Sequence, residues 1–169
     1  MTGSVLRDAL GHHVWATLRL MDTCDTLTPD QLNATAPGTY GSILDTMRHV
    51  VGADRGYLFR LSGQRVPRID EEGMSLGELR SVMERNGPEW STLASEDIDA
   101  DVDVPGMTGD GVEFHAPKGI RFAEVVHHGT DHRSQICTIL TTLGVEPPEI
   151  DVWDFGLDTG RAVEGRLPS

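Results

Sequence analysis

The stretch HHGTDHRSQI, residues 127–136, places His128 and His132 four residues apart. On a helix that spacing brings Cβ atoms to about 6 Å, so two imidazoles can converge on one ion at ~2.0 to 2.1 Å from each ring nitrogen. His127 points about 100° away and is poorly placed to join them. Gln135 lies about 20° from His128 on the helical wheel, on the face where it can orient a ligand or a substrate. Arg133, about 140° round, is expected to pair with a carboxylate on another helix, and Cys137, about 180° round, cannot reach the same ion.

A third imidazole has to come from elsewhere. His49 sits in SILDTMRHVVGADRG, residues 42–56. Ser42, Asp45, Ala53 and Gly56 fall within about 40° of it, and Gly52 at about 60°. Two readings of the glycines stand: close approach of another helix, or a cavity beside His49. Each glycine costs a helix interior about 1 kcal/mol, so the pair calls for a reason. Asp45 is the nearest carboxylate, and its place three residues after Ser42 also explains it as part of a helix cap. His13, on the inner arc of a first helix, is a pocket candidate that can act as a base, or a buried histidine bonded to a neighbour. Cys24, on the same arc, reads as a small buried residue. His115 falls in a hairpin and is a weaker candidate.

Four helices are available to carry these residues. Over residues 5–27, Leu6, Leu10, His13, Val14, Thr17, Met21 and Cys24 share one arc, with His12 and Trp15 off it. Residues 28–41 are dense in turn formers and predict a connection with at most one helical turn. Ser42 begins a second helix to about residue 62, and Ser75 with Glu78 a third to about residue 94. Gly87-Pro88 is expected to kink or break that third helix. In residues 99–118, DVDV and VEFH alternate around PGMTGDG, the pattern of a small β-hairpin. A last helix over 120–143 is closed by Gly144 and Pro147-Pro148. The tail, 144–169, shows no sustained period; Trp153 and Phe155 are expected to anchor it to the bundle. The prediction is an all-α four-helix bundle with a hairpin between helices three and four, one domain over residues 1–169.

The 27 acidic and 14 basic side chains leave a net charge of −13. Such a surface repels phosphate backbones and anionic lipid, which argues against nucleic acid and membrane as partners. No apolar run approaches the ~18 residues of a membrane span, and the first residues lack a basic-then-apolar signal. A cytoplasmic protein with Cys24 and Cys137 reduced is expected.

Together, the second-helix His49 and the last-helix pattern His128, His132, Arg133, Ser134, Gln135 resemble the DinB / YfiT-like metalloenzyme family. The likeness runs from about residue 5 to 150, and HxxxHR(G/S)Q is its most specific part. Ser134 stands where Gly is common in that family and Asp131 where His is frequent; neither is a ligand position. The resemblance implies a homodimer holding a divalent metal ion, Zn or Ni first and then Fe, Co or Mn, on His49, His128 and His132. It also implies a small-molecule substrate and a low-molecular-weight thiol of the mycothiol or bacillithiol class, used by a transferase or isomerase. Three protein ligands leave an open position, where a thiol would be held as a nucleophilic thiolate. A metal-dependent hydrolase acting through water, and a non-catalytic small-molecule or stress-response binding protein, are the rival readings.

Overall fold

The computed structural model describes residues 4–107 and 111–165. Its elements are α1 (Val5–Cys24), α2 (Pro29–Leu32), α3 (Ile43–Leu61), α4 (Leu76–Leu93), β1 (Asp103–Met107), β2 (Glu113–Pro117), α5 (Lys118–Thr142) and α6 (Val152–Asp158). Side-chain caps start four of the helices, α6 among them through the Asp151 carboxylate. Ser42 Oγ accepts the Asp45 N–H at 3.1 Å to open α3. Reciprocal Ser75–Glu78 and Thr28–Gln31 boxes open α4 and the single turn of α2. Each cap satisfies N–H groups the helix itself cannot, worth about 1 kcal/mol. At the other end of α5, Gly144 takes φ +73°, and the Val145 N–H returns to the Leu140 carbonyl at 2.9 Å. Only glycine adopts that left-handed turn without strain.

α1 and α3 each pack on both α4 and α5, so the four long helices form a bundle with α1 and α3 diagonally opposed. Leu10, Leu20, Met47, Leu58, Leu79, Met83, Ile136 and Ile139 fill its interior, each contributing about 1.5–3 kcal/mol by leaving water. A polar network crosses this core. Asp54 on α3 accepts from His13 Nε2 of α1 at 3.0 Å, from Trp90 Nε1 of α4 at 3.0 Å, and from Asn86 Nδ2. Arg133 of α5 donates to His13 Nδ1 at 3.0 Å. Because Arg133 can only donate, His13 Nδ1 accepts, and the ring proton sits on Nε2 facing Asp54. All four helices meet in this one network.

Several expectations are corrected. Of the two outcomes expected at Gly87-Pro88, the break does not occur: α4 runs through Pro88, with Asn86, Trp90 and Leu93 buried on its inner side. Core burial on both sides of the proline holds the helix together. The strand β1 includes Pro105 and Gly106, which sequence assigns to the turn; Pro105 pairs with His115 and Gly106 with Phe114. In a two-stranded ribbon both strands are edges, where proline's missing N–H is tolerated. The middle of that turn, 108–110, lies outside the described residues. His12 is buried, its Nε2 2.8 Å from the Ile150 carbonyl and its ring edge-on to Phe155. The tail carries the helix α6, which packs on α1 and covers His12 and Trp15, the residues off that helix's inner arc. Phe155 is the anchor, whereas Trp153 is 76% exposed. No described helix is long and apolar enough to cross a membrane.

Candidate metal centre

α3 and α5 lie side by side, and their facing histidines meet. His49, His128 and His132 each offer one ring nitrogen, and the three atoms lie within 4.8 Å of one another. His49 Nε2 and His128 Nε2 are 2.9 Å apart. Two nitrogens bound to one ion at ~2.0 to 2.1 Å and a right angle would stand about 2.9 Å apart, so the pair already has a ligand-like separation. His132 is 8% exposed, and its Nδ1 is buried with no hydrogen-bond partner among the described residues. An unpaired buried polar atom costs about 1–3 kcal/mol, which ligation of an ion by this ring set would offset. The donor set therefore fits a divalent metal.

The protonation states agree with that role. Burial, then the neighbouring charges of His132, His49 and His13, pushes the His128 pKa down to about 4. Burial followed by His132 lowers His49, against the opposing pull of Glu71. Both rings are thus neutral at pH 7, and a metal meets little competition from protons.

The Gly52–Gly56 question has a third answer. A Cβ on Gly52 would stand 2.2 Å from the Glu71 Cδ and 2.4 Å from its Oε1, so the glycine admits a carboxylate one turn from His49. Neither close helix approach nor an empty cavity explains it. Glu71 follows α3 by a polar loop, and the sequence reading passed over it because no periodicity links a loop carboxylate to a helix face.

Aromatic rings frame the histidines. Tyr40 stacks on His49, centroids 4.2 Å apart at 16°, and meets His132 edge-on at 5.3 Å. Its backbone N–H donates to Gln135 Oε1 at 2.7 Å. Gln135 also donates to Asp131 Oδ2 at 3.2 Å, so it positions the Tyr40 loop over the site. Tyr57 lies edge-on to His128 at 5.9 Å. Burial first, then Glu124, pushes its phenol up to about 12, so it keeps its proton. Sequence offered no signal for Tyr40 beyond its place in a turn-rich connection.

The remaining candidates go elsewhere. His13 sits in the central network with both ring nitrogens engaged, packed on Gly129, and does not join the three histidines. Arg133 does not pair directly with a carboxylate, as its wheel position suggested. It donates to His13 Nδ1, Thr17 Oγ1 and Thr130 Oγ1, reaching Asp54 only through the imidazole. Burial lowers its pKa to about 10, so it stays charged at neutral pH. Asp45 is taken up by the Ser42 cap and by Arg48 at 3.1 Å. Cys24 and Cys137 are free thiols, and burial raises Cys24 to about 12, far from a reactive thiolate. His115 binds Asp103 and Glu113 within the hairpin.

Comparison with known families places this geometry in context. The model described as the DinB family matches residues 1–159. No curated protein matches the chain.

Proposed function

We propose a function from the premise that the chain belongs to the DinB family: a metal-dependent enzyme that uses a low-molecular-weight thiol, of the mycothiol or bacillithiol class, in a transfer or isomerisation. The observation that carries this reading is the convergence of three ring nitrogens from two helices within 4.8 Å. His49, His128 and His132 would hold the ion. The ion would supply a positive charge, undiminished by three neutral imidazoles, that favours the thiolate form of a thiol over its protonated form.

The rest of the site is the chain's own work. Tyr40 covers the face of His49 and keeps water from that side, held by Gln135. The Glu71 carboxylate, seated on Gly52 one turn from His49, would accept the proton a thiol gives up. Tyr57 retains its phenolic proton beside His128 and can donate it to a substrate oxygen. Glu71 also favours a second reading, hydrolysis, since a carboxylate there would equally take a proton from a water whose pKa the ion would lower towards that of a thiol.

The test is to load purified protein with Zn, Ni, Co, Fe or Mn and assay it with low-molecular-weight thiols and a panel of electrophiles. One ion per chain and thiol-dependent conjugation are expected, with His49→Ala weakening metal binding at least about tenfold and abolishing turnover. Thiol-independent turnover would favour the hydrolase. Metal bound without any turnover would mark a small-molecule binding protein, and failure to bind any of these metals would overturn the reading.

A further inference from the structure

Several arginines of this acid-rich chain meet carboxylates: Arg48 pairs with Asp45, Arg65 with Glu96, Arg80 with Asp22 and Asp25, and Arg161 with Asp8. At the hairpin end of the bundle, Arg60, Arg68 and Arg121 do not. Among the described residues none of the three forms an ion pair, in a chain with 27 acidic groups against 14 basic ones. Arg121 is 8% exposed; its Nη2 donates to the Val104 and Phe114 carbonyls, and its Nε is buried without a partner. Arg60 Nη1 donates only to the Gly56 carbonyl, at 3.2 Å. Arg68 lies over the Phe59 ring, 5.0 Å from its centre.

These guanidinium groups crowd one another. A Cβ on Gly106 would stand 2.9 Å from Arg121 Nη2 and 3.1 Å from Arg60 Nε, so both pack on the same glycine. Burial, then the charges of Arg68 and Arg121, holds Arg60 below the usual arginine pKa. Beside them opens a cavity of about 540 Å³ bordered by Arg60, Arg68, Gln64, Val104, Gly106 and Glu113. Glu113, the carboxylate on this rim, is engaged by His115 at 3.2 Å. Like charges pressed together with unmet N–H donors are stabilised by an anion that accepts from a guanidinium fork.

We propose that this cavity binds the carboxylate or phosphate group of a small molecule, with Arg60 and Arg68 as direct donors and Arg121 reinforcing the charge behind Gly106. Its place relative to the histidines gives the ligand a direction. Arg60 and Arg121 lie within about 20° of His49 and His128 on their helices, and Arg121 is about 10 Å along the axis from His128. Tyr57 feels the charges of Arg60 and Arg121 and meets His128 edge-on at 5.9 Å, so a ligand anchored by its anion can extend along this face past it towards the histidines. The anion site itself needs no metal.

Chelator-treated, metal-free protein titrated calorimetrically with succinate, inorganic phosphate and uncharged succinamide at low salt tests it. Saturable binding of succinate or phosphate and none of succinamide is expected, and preference between the two anions assigns the group recognised. An Arg60→Gln/Arg68→Gln variant should bind at least about tenfold more weakly. Among the described residues neither side chain hydrogen-bonds another side chain, so the fold should survive, which circular dichroism checks. Arg19→Gln/Arg161→Gln removes the same charge elsewhere and should bind as the parent does. No saturation below about 10 mM, or equal loss in the two double variants, overturns the proposal. His49→Ala protein should retain the anion, so failure here and failure of the metal reading are separable.

Discussion

Gln135 uses both ends of its amide at the approach to the histidines, accepting from the Tyr40 N–H and donating to Asp131. Gln135→Ala should therefore release the Tyr40 loop while leaving the three histidines in place. The expected stability loss is about 1 kcal/mol, mainly for the 2.7 Å bond to Tyr40, the 3.2 Å one to Asp131 adding little, with metal lost to a chelator several-fold faster in a stopped-flow measurement. Unchanged release would mean that Tyr40 does not cover the site. The histidines themselves were legible in the sequence, because a four-residue spacing and a shared wheel angle are local properties. Tyr40 was not, since its partner Gln135 is 95 residues away and nothing periodic marks a loop residue as a ring that will stack. Glu71 escaped for the same reason.

Helix α5 carries two of the histidines on one side and Gly129 and Arg133 towards the centre, so its packing on α1 sets where the histidines point. A Cβ at Gly129 would stand 2.4 Å from the His13 ring, which is hemmed in by Asp54 and Arg133 and cannot yield. Gly129→Ala should cost about 1–3 kcal/mol by overpacking, despite alanine's better helix propensity, as urea denaturation would show. The hairpin carries a pH-dependent element of its own. Hydrogen bonding to Asp103, followed by its charge, raises His115 above the ordinary histidine value of 6.5. The folded hairpin binds the proton more tightly than the unfolded chain, so this stabilisation is full below pH 6.5 and is lost as pH rises through the folded pKa. An NMR titration should find the His115 pKa above 6.5, and Asp103→Asn should bring it down. The hairpin and the four long helices were visible in sequence as changes of period, whereas α6 was not, its seven residues being too few to show one. The strand through Pro105 and Gly106 was not, because turn formers and an edge strand packed under two arginines share one composition.

Across the whole molecule, Asp54 links the four long helices, accepting from α1 and α4 at the centre of the bundle. Asp54→Ala would leave His13, Asn86 and Trp90 with buried unsatisfied donors. A loss of about 3–5 kcal/mol is expected, a large share of the ~5–15 kcal/mol of a typical domain, seen as an earlier urea midpoint. Asp54→Asn, which keeps an acceptor oxygen, should lose less. By itself the sequence determined the four long helices, the Ser42 and Ser75 caps and the faces on which His13, His49, His128 and His132 lie, because hydrogen-bonded turns and apolar spacing are read within a few residues. Only the tertiary structure decided that His13 would meet Asp54 while the other three histidines meet one another. It alone seated Glu71 on Gly52 and left Arg60, Arg68 and Arg121 without carboxylate partners among the described residues. Each of these depends on which helix lies beside which and on where a loop returns, and a residue type carries no record of either.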